Sequence, residues 1–180
     1  NAAEKEVLAR KDKLPVVILR PAAIYGPRDV EILEAFRAAS KRQYPVIGNG
    51  AMLGCYTYGP DCARACVAAI QADIPSGQIY FVDDGEPLTM SKAMGELLHE
   101  ALGTAPLLKV GIPLPVLRLA SLGVEAYGRA RGKAVMLTRE KATMLSHHWV
   151  CESKKTRADL GWEPQVSFPE GLKLTASWYR

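Results

Sequence analysis

The sequence predicts an α/β fold, and three observations carry that reading. Val16-Val17-Ile18-Leu19 is a run of four apolar residues, three of them β-branched, the pattern of a strand buried on both faces in a parallel sheet. Ile79-Tyr80-Phe81-Val82 reads as a second strand. Between them Ala63, Cys66, Val67 and Ile70 form a helical stripe at i, i+3, i+4, i+7 spacing. Strands alternating with helices argue for α/β layering, with more helix towards the C-terminus.

Taken in order, residues 2–11 set Ala3, Val7 and Leu8 on one face of an amphipathic helix. That helix has no start signal and the first residue is Asn1, so the N-terminus is expected to be a cut inside a domain. Arg20-Pro21 ends the first strand, since proline has no N–H for a ladder. The Tyr25-Gly26-Pro27 turn then hands the chain to Asp29, an N-cap for the next helix. Open α/β sheets place ligands where strands stop, at their carboxyl ends, so residues 14–29 are the stretch where a site is expected.

The helix over residues 30–41 carries Leu33, Phe36 and Ala39 at helical spacing. Residues 44–47 and 55–58 are short extended pieces, and Asp61 caps the helix with the stripe just named. Thr89 caps a further helix with Met90, Ala93, Leu97 and Ala101 inward and Gly103 as terminator. A strand over 107–112 and helices over 116–129 and after Thr138 follow. The helix over 153–160 ends at Gly161. The Ser167-Phe168-Pro169-Glu170 capping box opens a last helix holding Leu172, Ala176 and Tyr179.

Composition narrows the function classes. An apolar share of 48% and a charged share of 23% are those of an ordinary globular protein, and the net charge of +4 is mild. Basic residues are dispersed and not interleaved with aromatics, which argues against a nucleic-acid groove. The most apolar region, residues 110–122, is interrupted by Pro113, Pro115 and Arg118 and is too short to cross a bilayer. Cys55, Cys62, Cys66 and Cys151 form no C-x-x-C pair and sit among apolar residues, so they read as buried thiols of a reducing, cytoplasmic compartment.

Three motifs reduce to structure. Gly48-Asn49-Gly50-Ala51-Met52-Leu53-Gly54 lacks the helix start that a phosphate-binding loop needs, because the β-prone Cys55-Tyr56-Thr57-Tyr58 follows; it is a turn. His99, His147 and His148 are not at metal-ligand spacing, and no metal site is expected. Asp83-Asp84 would point to opposite faces of an extended chain and reads as a solvated turn, not as a catalytic carboxylate pair.

Four stretches carry a resemblance. They are Leu19-Arg20-Pro21 with Ile24-Tyr25-Gly26-Pro27; Tyr58-Gly59-Pro60-Asp61-Cys62-Ala63-Arg64-Ala65; residues 80–87; and Leu160-Gly161-Trp162-Glu163-Pro164 with Glu170-Gly171-Leu172. In this order they resemble the C-terminal half of an extended short-chain dehydrogenase/reductase. The branch is that of 3β-hydroxysteroid dehydrogenases and NAD-dependent epimerase/dehydratases. The resemblance implies the C-terminal part of a Rossmann-type doubly wound parallel sheet plus a smaller, mainly helical α/β substrate-binding lobe. Residues 1–29 and about 61–85 would end the NAD(P)-binding domain, and about 30–60 and 86–180 would form the lobe.

The family places a Tyr-x-x-x-Lys pair on the helix before this strand and a glycine-rich cofactor loop further upstream. Neither motif occurs in these 180 residues, so no catalytic residue is expected among them, and the chain alone is expected to be inactive. The cofactor implied is NAD or NADP. Pro21, Ala22, Ala23 and Ile24 would line its nicotinamide, with backbone groups meeting the carboxamide. Tyr25, Arg64, Met136 and Trp149 are the expected substrate contacts.

Two departures bear on the substrate. Nucleotide-sugar members often carry Asn where this chain has Ala23, and Arg where it has Gly54. A site for a diphosphate would not give up such a charged donor. The resemblance therefore implies oxidation or reduction of a CH–OH or ketone group on a sterol-like or other apolar substrate. A nucleotide-sugar epimerase or dehydratase is the alternative enzyme, and an inactive NAD(P)-binding scaffold the alternative non-enzyme. Partners are a small molecule and a second copy of the chain, with no nucleic acid and no transmembrane segment.

Overall fold

In the computed structural model, which describes residues 2–133, 135 and 137–179, the opening apolar run becomes the second element of the chain. The order is α1 (Ala2–Leu8), β1 (Val17–Pro21), β2 (Ala23–Tyr25), α2 (Val30–Ser40), β3 (Gln43–Ile47), β4 (Leu53–Gly54), β5 (Tyr56–Tyr58), α3 (Gly59–Gln71) and β6 (Gln78–Val82). It continues with β7 (Leu88–Thr89), a π-helix (Ser91–Leu97), α4 (Leu98–Leu102), β8 (Leu108–Ile112), α5 (Leu114–Arg131), α6 (Arg139–Met144), α7 (Lys154–Leu160) and α8 (Phe168–Tyr179). The chain divides into two units. The first holds residues up to 29, 55–87 and from 150 on; the second holds 30–54 and 88–149.

In the first unit β1 pairs in parallel with β6, Val17 opposite Gln78 through Pro21 opposite Val82, and β2 pairs in parallel with β5. Ala65, Tyr80, Val82, Leu160 and Trp162 form the buried core, and Val17, Leu19, Ala68, Ala69, Ala72 and Ile74 pack against it. Each large aliphatic side chain buried there contributes about 1.5–3 kcal/mol. β1 itself is half-buried where burial on both faces was expected. The reason is that β6 is its one ladder partner among the described residues, so its other edge stays open.

α3 also departs from expectation. Its inner face is Asp61, Ala65, Ala68 and Ala69, while the expected stripe faces out, Val67 at 52% and Ile70 at 84% exposure. Two stripes of i, i+3, i+4 spacing compete on this helix. The alanine stripe wins because small side chains let the helix approach a core already filled by Tyr80 and Trp162. Residues 55–60 and 150–180, expected with the second lobe, group with the first unit instead. Leu160 and Trp162 complete its core, and α8 packs against β5.

In the second unit β3 pairs in parallel with β8, and β4 pairs antiparallel with β7. Phe36 and Ala39 of α2 are buried as their spacing predicts. The helix expected after Thr89 does begin there, with the Thr89 hydroxyl accepting from the Lys92 N–H at 3.2 Å. It opens as a π-helix, so Ala93, Gly95, Leu98 and His99 are the buried residues, while Met90, Leu97 and Ala101 are half-buried. The wide turn brings Gly95 onto the Tyr44 ring, where a Cβ would lie 2.7 Å from two ring carbons.

Candidate functional site

The carboxyl end of β1 is built from backbone ties. Pro21 has no N–H to give, Ala22 donates to the Val82 carbonyl at 2.9 Å, and Ala23 donates to the Cys55 carbonyl at 3.3 Å. These bonds carry the chain from the β1–β6 ladder to the β2–β5 ladder. Pro21, Ala23 and Ile24 are left exposed, Ile24 at 51%, and Ala22 is half-buried. The four expected nicotinamide residues thus form one small apolar wall at the strand's end. The N–H groups of Ala22 and Ala23 are already used in these ties, so a backbone group meeting a carboxamide here would be another one. What this edge offers is apolar surface, the kind on which a flat ring packs.

Next to the wall, Arg20 grips Glu4 of α1 through two bonds, at 2.9 and 2.6 Å, and its guanidinium lies 5.4 Å from the centre of the Phe81 ring. The hydrogen bond from Arg20 holds the Glu4 carboxyl below its usual range.

Tyr25 is not positioned to touch a substrate. It is 2% exposed, and its ring lies among those of Tyr56, Tyr58 and Phe168 at centroid distances of 6.4, 5.6 and 5.0 Å. Its hydroxyl is directed at Asp84 and, at 3.5 Å, at the Phe168 carbonyl. Asp84 also accepts from the Tyr58 N–H at 2.9 and 3.0 Å. Burial pushes the Asp84 carboxyl up to about 6, against the pull of these hydrogen bonds. Burial likewise raises the Tyr25 phenol, with the nearby Asp84 charge adding to the shift. Tyr25 braces the wall from behind.

Arg64 is likewise structural. It ion-pairs with Asp61, which is fully buried and accepts from the N–H groups of Gln165 at 3.2 Å and Val166 at 3.1 Å. The Asp61 carbonyl accepts from the Trp162 indole at 3.1 Å. Asp61 therefore ties α3 to the 162–166 loop and does not cap the helix. Asp61 and Asp84 were missed as site-forming residues. Their signal was present in the Tyr58–Ala65 and 80–87 stretches, but a carboxylate beside a helix start or turn reads first as a local cap.

A cavity of about 650 Å³ opens on the same unit, lined by Asp83, Glu86, Cys151, Ser153, Lys154 and Arg157 among others. Asp83 is 2% exposed, so the expected solvated turn is buried. One Asp83 oxygen accepts from the Gly85 N–H at 2.9 Å, and the other lies 4.0 Å from the Cys151 sulfur. Burial, with Cys55 beside it, pushes the Cys151 thiol up to about 12, which leaves it protonated and poorly nucleophilic at neutral pH. Cys66 is exposed, against the expectation of four buried thiols.

Trp149 lies in the second unit, 56% exposed, with its indole N–H donating to the Met144 carbonyl at 2.8 Å. Met136 lies outside the described residues.

The model of the 3-beta hydroxysteroid dehydrogenase/isomerase family matches residues 1–115. The chain is 32% identical over 180 residues to a 2-alkyl-3-oxoalkanoate reductase of Stenotrophomonas maltophilia, covering 95% of this chain and 54% of that protein. It is 30% identical over 171 residues to isoform 1 of a 3beta-hydroxysteroid-dehydrogenase/decarboxylase of Arabidopsis thaliana, covering 87% of this chain and 38% of that one. Among solved structures, a dTDP-glucose 4,6-dehydratase from Bacillus anthracis in complex with NAD superposes with a TM-score of 0.71 at 18% identity. It covers 99% of this chain and 49% of its own. A UDP-glucose 4-epimerase from Thermotoga maritima with UDP-glucose gives 0.69 at 24% identity, covering 99% and 51%. These likenesses show a Rossmann-type α/β fold, and the chain spans about half the length, or less, of the proteins it matches.

Proposed function

The chain belongs to the 3-beta hydroxysteroid dehydrogenase/isomerase family, and on that premise we propose that it is the C-terminal half of an NAD(P)-dependent oxidoreductase. The substrate is a sterol-like or other apolar molecule, reacting at a CH–OH or ketone group. The observation that carries this reading is the exposed apolar wall of Pro21, Ala23 and Ile24 at the carboxyl end of a parallel strand pair, inside the matched region.

A nicotinamide dinucleotide, when bound, supplies the hydride acceptor or donor. The chain's own part is to present Pro21 and Ile24 as a flat apolar surface and to hold it rigid through Tyr25 and the two backbone ties. The second unit supplies the substrate-binding lobe. Ala23 and Gly54 offer no charged donor for a diphosphate, which supports an apolar substrate. So do the relatives, one named for 2-alkyl-3-oxoalkanoates and one for 3β-hydroxysteroids. The free thiols support a cytoplasmic setting, and the outward Val67 and Ile70 of α3 support a second copy as partner. Likeness to the dehydratase and the epimerase favours the second reading, a nucleotide-sugar enzyme.

The test is turnover by the full-length protein of NAD+ or NADP+ with 3β-hydroxysteroids, with 3-hydroxyalkanoates and with UDP- and dTDP-sugars, alongside thermal shifts with each. Nicotinamide reduction by an apolar alcohol is the expected result. Stabilisation by nucleotide sugars alone would overturn the substrate reading, and binding of NAD(P) with no turnover of any class would leave the scaffold. Ile24→Asp is expected to lower kcat/KM by about tenfold or more by wetting the wall. The 180 residues alone are expected to show no turnover, because no Tyr-x-x-x-Lys pair occurs in them; measurable oxidation by them would refute that.

A further inference from the structure

We propose that Cys55 and Cys151 form a reversible disulfide, an oxidative modification site within the first unit. The chain brings them together where two of its segments run side by side. Gly54 and Trp149 pair as a parallel bridge, with the Trp149 N–H donating to the Leu53 carbonyl at 2.8 Å. The cysteines follow within two residues. The Cys55 sulfur accepts from the Cys151 N–H at 3.4 Å, and the Cys55 thiol donates to the Cys151 carbonyl at 3.5 Å. The two side chains also interact directly. A sulfur held against its partner's backbone in this way is within the reach of a disulfide, whose Cα atoms lie roughly 4.4–6.8 Å apart.

The chain offers a second pair of thiols, Cys62 and Cys66, which interact one turn apart on α3. Positions i and i+4 of a helix hold their Cβ atoms about 5–6 Å apart, whereas a disulfide needs roughly 3.5–4.5 Å. Closing that pair would unwind the turn. Cys55 and Cys151 lie in neither a helix nor a strand, so a small adjustment between them breaks no ladder. Their place in the chain gives the bond a consequence. The chain returns from the second unit to the first at Cys55 and again at Val150, one residue before Cys151. A disulfide would pin these two returns together and close a loop that spans 96 positions.

Cys55 is buried, and Cys151 is half-buried on the cavity of about 650 Å³, so an oxidant such as hydrogen peroxide arrives at Cys151. The Cys151 sulfur attacks one peroxide oxygen. The O–O bond breaks, and the departing hydroxide leaves as water with the thiol proton. Cys55 then attacks the sulfur of the sulfenic acid so formed, and the expelled hydroxyl leaves with the Cys55 proton as a second water. Two electrons pass from the two sulfurs to the peroxide. Burial, with Cys55 and Asp83 beside it, keeps the Cys151 thiol protonated, so the first step is slow at neutral pH and quickens as pH rises. The site answers sustained oxidation and not a brief pulse.

The experiment treats the full-length protein with hydrogen peroxide at a series of pH values, blocks free thiols with N-ethylmaleimide and maps the peptides by mass. A linked Cys55–Cys151 peptide that dithiothreitol releases is expected, forming about five- to tenfold faster for each unit of pH above neutrality. The bridged protein should melt several degrees higher than the reduced one, because the bond closes a long loop. Cys62→Ala with Cys66→Ala should leave the bridge and its rate intact. Cys55→Ala should leave Cys151 as a sulfenic acid that dimedone captures. A bridge between Cys62 and Cys66 in place of the expected one would overturn the proposal. So would wild-type Cys151 oxidised with no link to Cys55, or neither thiol oxidised even in alkaline peroxide. A bridged protein that melts no higher would overturn the pinning of the two returns. Each readout is a mass or a melting temperature and needs neither cofactor nor substrate, so it stands apart from the fate of the oxidoreductase reading.

Discussion

Tyr25 and Tyr44 sit in different units yet are packed alike: each is nearly buried, and each lays its ring on a helical glycine, Gly171 for Tyr25 and Gly95 for Tyr44. They differ at the hydroxyl. That of Tyr25 meets Asp84 and the Phe168 carbonyl, whereas that of Tyr44 is buried with no hydrogen-bond partner among the described residues. The first unit uses its buried polar groups as ties, and those ties hold the wall at Pro21 to Ile24. At Tyr44 the second unit packs by shape alone. The difference teaches where rigidity is concentrated: behind the surface proposed to receive the nicotinamide.

The hardest blow to that contrast is Asp61→Ala. It removes the acceptor of two backbone N–H groups and strands the Arg64 charge against the core. A loss of about 3–5 kcal/mol is expected from urea midpoints. A loss below about 1 kcal/mol would mean that water replaces the tie and that the first unit is no more rigidly braced than the second.

Gly171→Ala and Gly95→Ala come next, each costing about 1–3 kcal/mol net of the small gain in helix propensity. The two should respond differently to loss of the hydroxyl. At Gly171 the atom nearest an added Cβ is the Tyr25 hydroxyl oxygen, so Tyr25→Phe should relieve part of the penalty. At Gly95 the nearest atoms are ring carbons of Tyr44 at 2.7 Å, so Tyr44→Phe should relieve little. Equal rescue at both sites would break the comparison.

Asp84 sharpens it through pH. Folded, its carboxyl keeps its proton to about pH 6, against an ordinary aspartate value of 3.8. Raised folded affinity for a proton means that the stability linked to it is fully present below about pH 4 and is lost as pH rises through about 6. Asp84→Asn cannot titrate, so the wild-type minus variant stability should fall by ~1–2 kcal/mol across that window once solvent screening is allowed for. Parallel pH profiles for the two proteins would show that Asp84 is not desolvated.

How much of this could be read in the sequence depends on whether the deciding neighbour is local. β1, α5 and α8 follow from periodicity and end signals, and the apolar residues Pro21 to Ile24 are contiguous, so their exposure together needs nothing distant. The resemblance makes Tyr25 an expected substrate contact, and nothing beside it in the sequence distinguishes that role from a brace. Phe168 and Gly171, which decide it, lie far along the chain. α3 offers an alanine face as well as the Cys66, Val67, Ile70 stripe, and it is the alanine face that packs on the core of Tyr80 and Trp162, neighbours the helix sequence does not contain. The π-helix has one local trace, Gly95, the position at which its wide turn meets the Tyr44 ring from far along the chain.

The smallest expected effect is the one that separates the two tyrosines by sign. Tyr25→Phe deletes a donor that helps hold the Asp84 carboxylate, leaving that oxygen with one bond fewer in a half-buried setting; a cost of about 1–2 kcal/mol is expected. Since the Tyr25 hydrogen bond lowers the Asp84 carboxyl, its removal should also move the pH transition upward. Tyr44→Phe deletes an unpartnered buried hydroxyl and so removes a desolvation penalty. It should leave stability unchanged or raise it by up to about 1 kcal/mol, after the loss of a few van der Waals contacts with the Gly95 turn. One urea titration series reads both. If both variants lose stability by the same amount, the Tyr44 hydroxyl has a partner such as a bound water, and the second unit is braced in the same way as the first. If the signs differ, the polar ties belong to the unit that carries the wall.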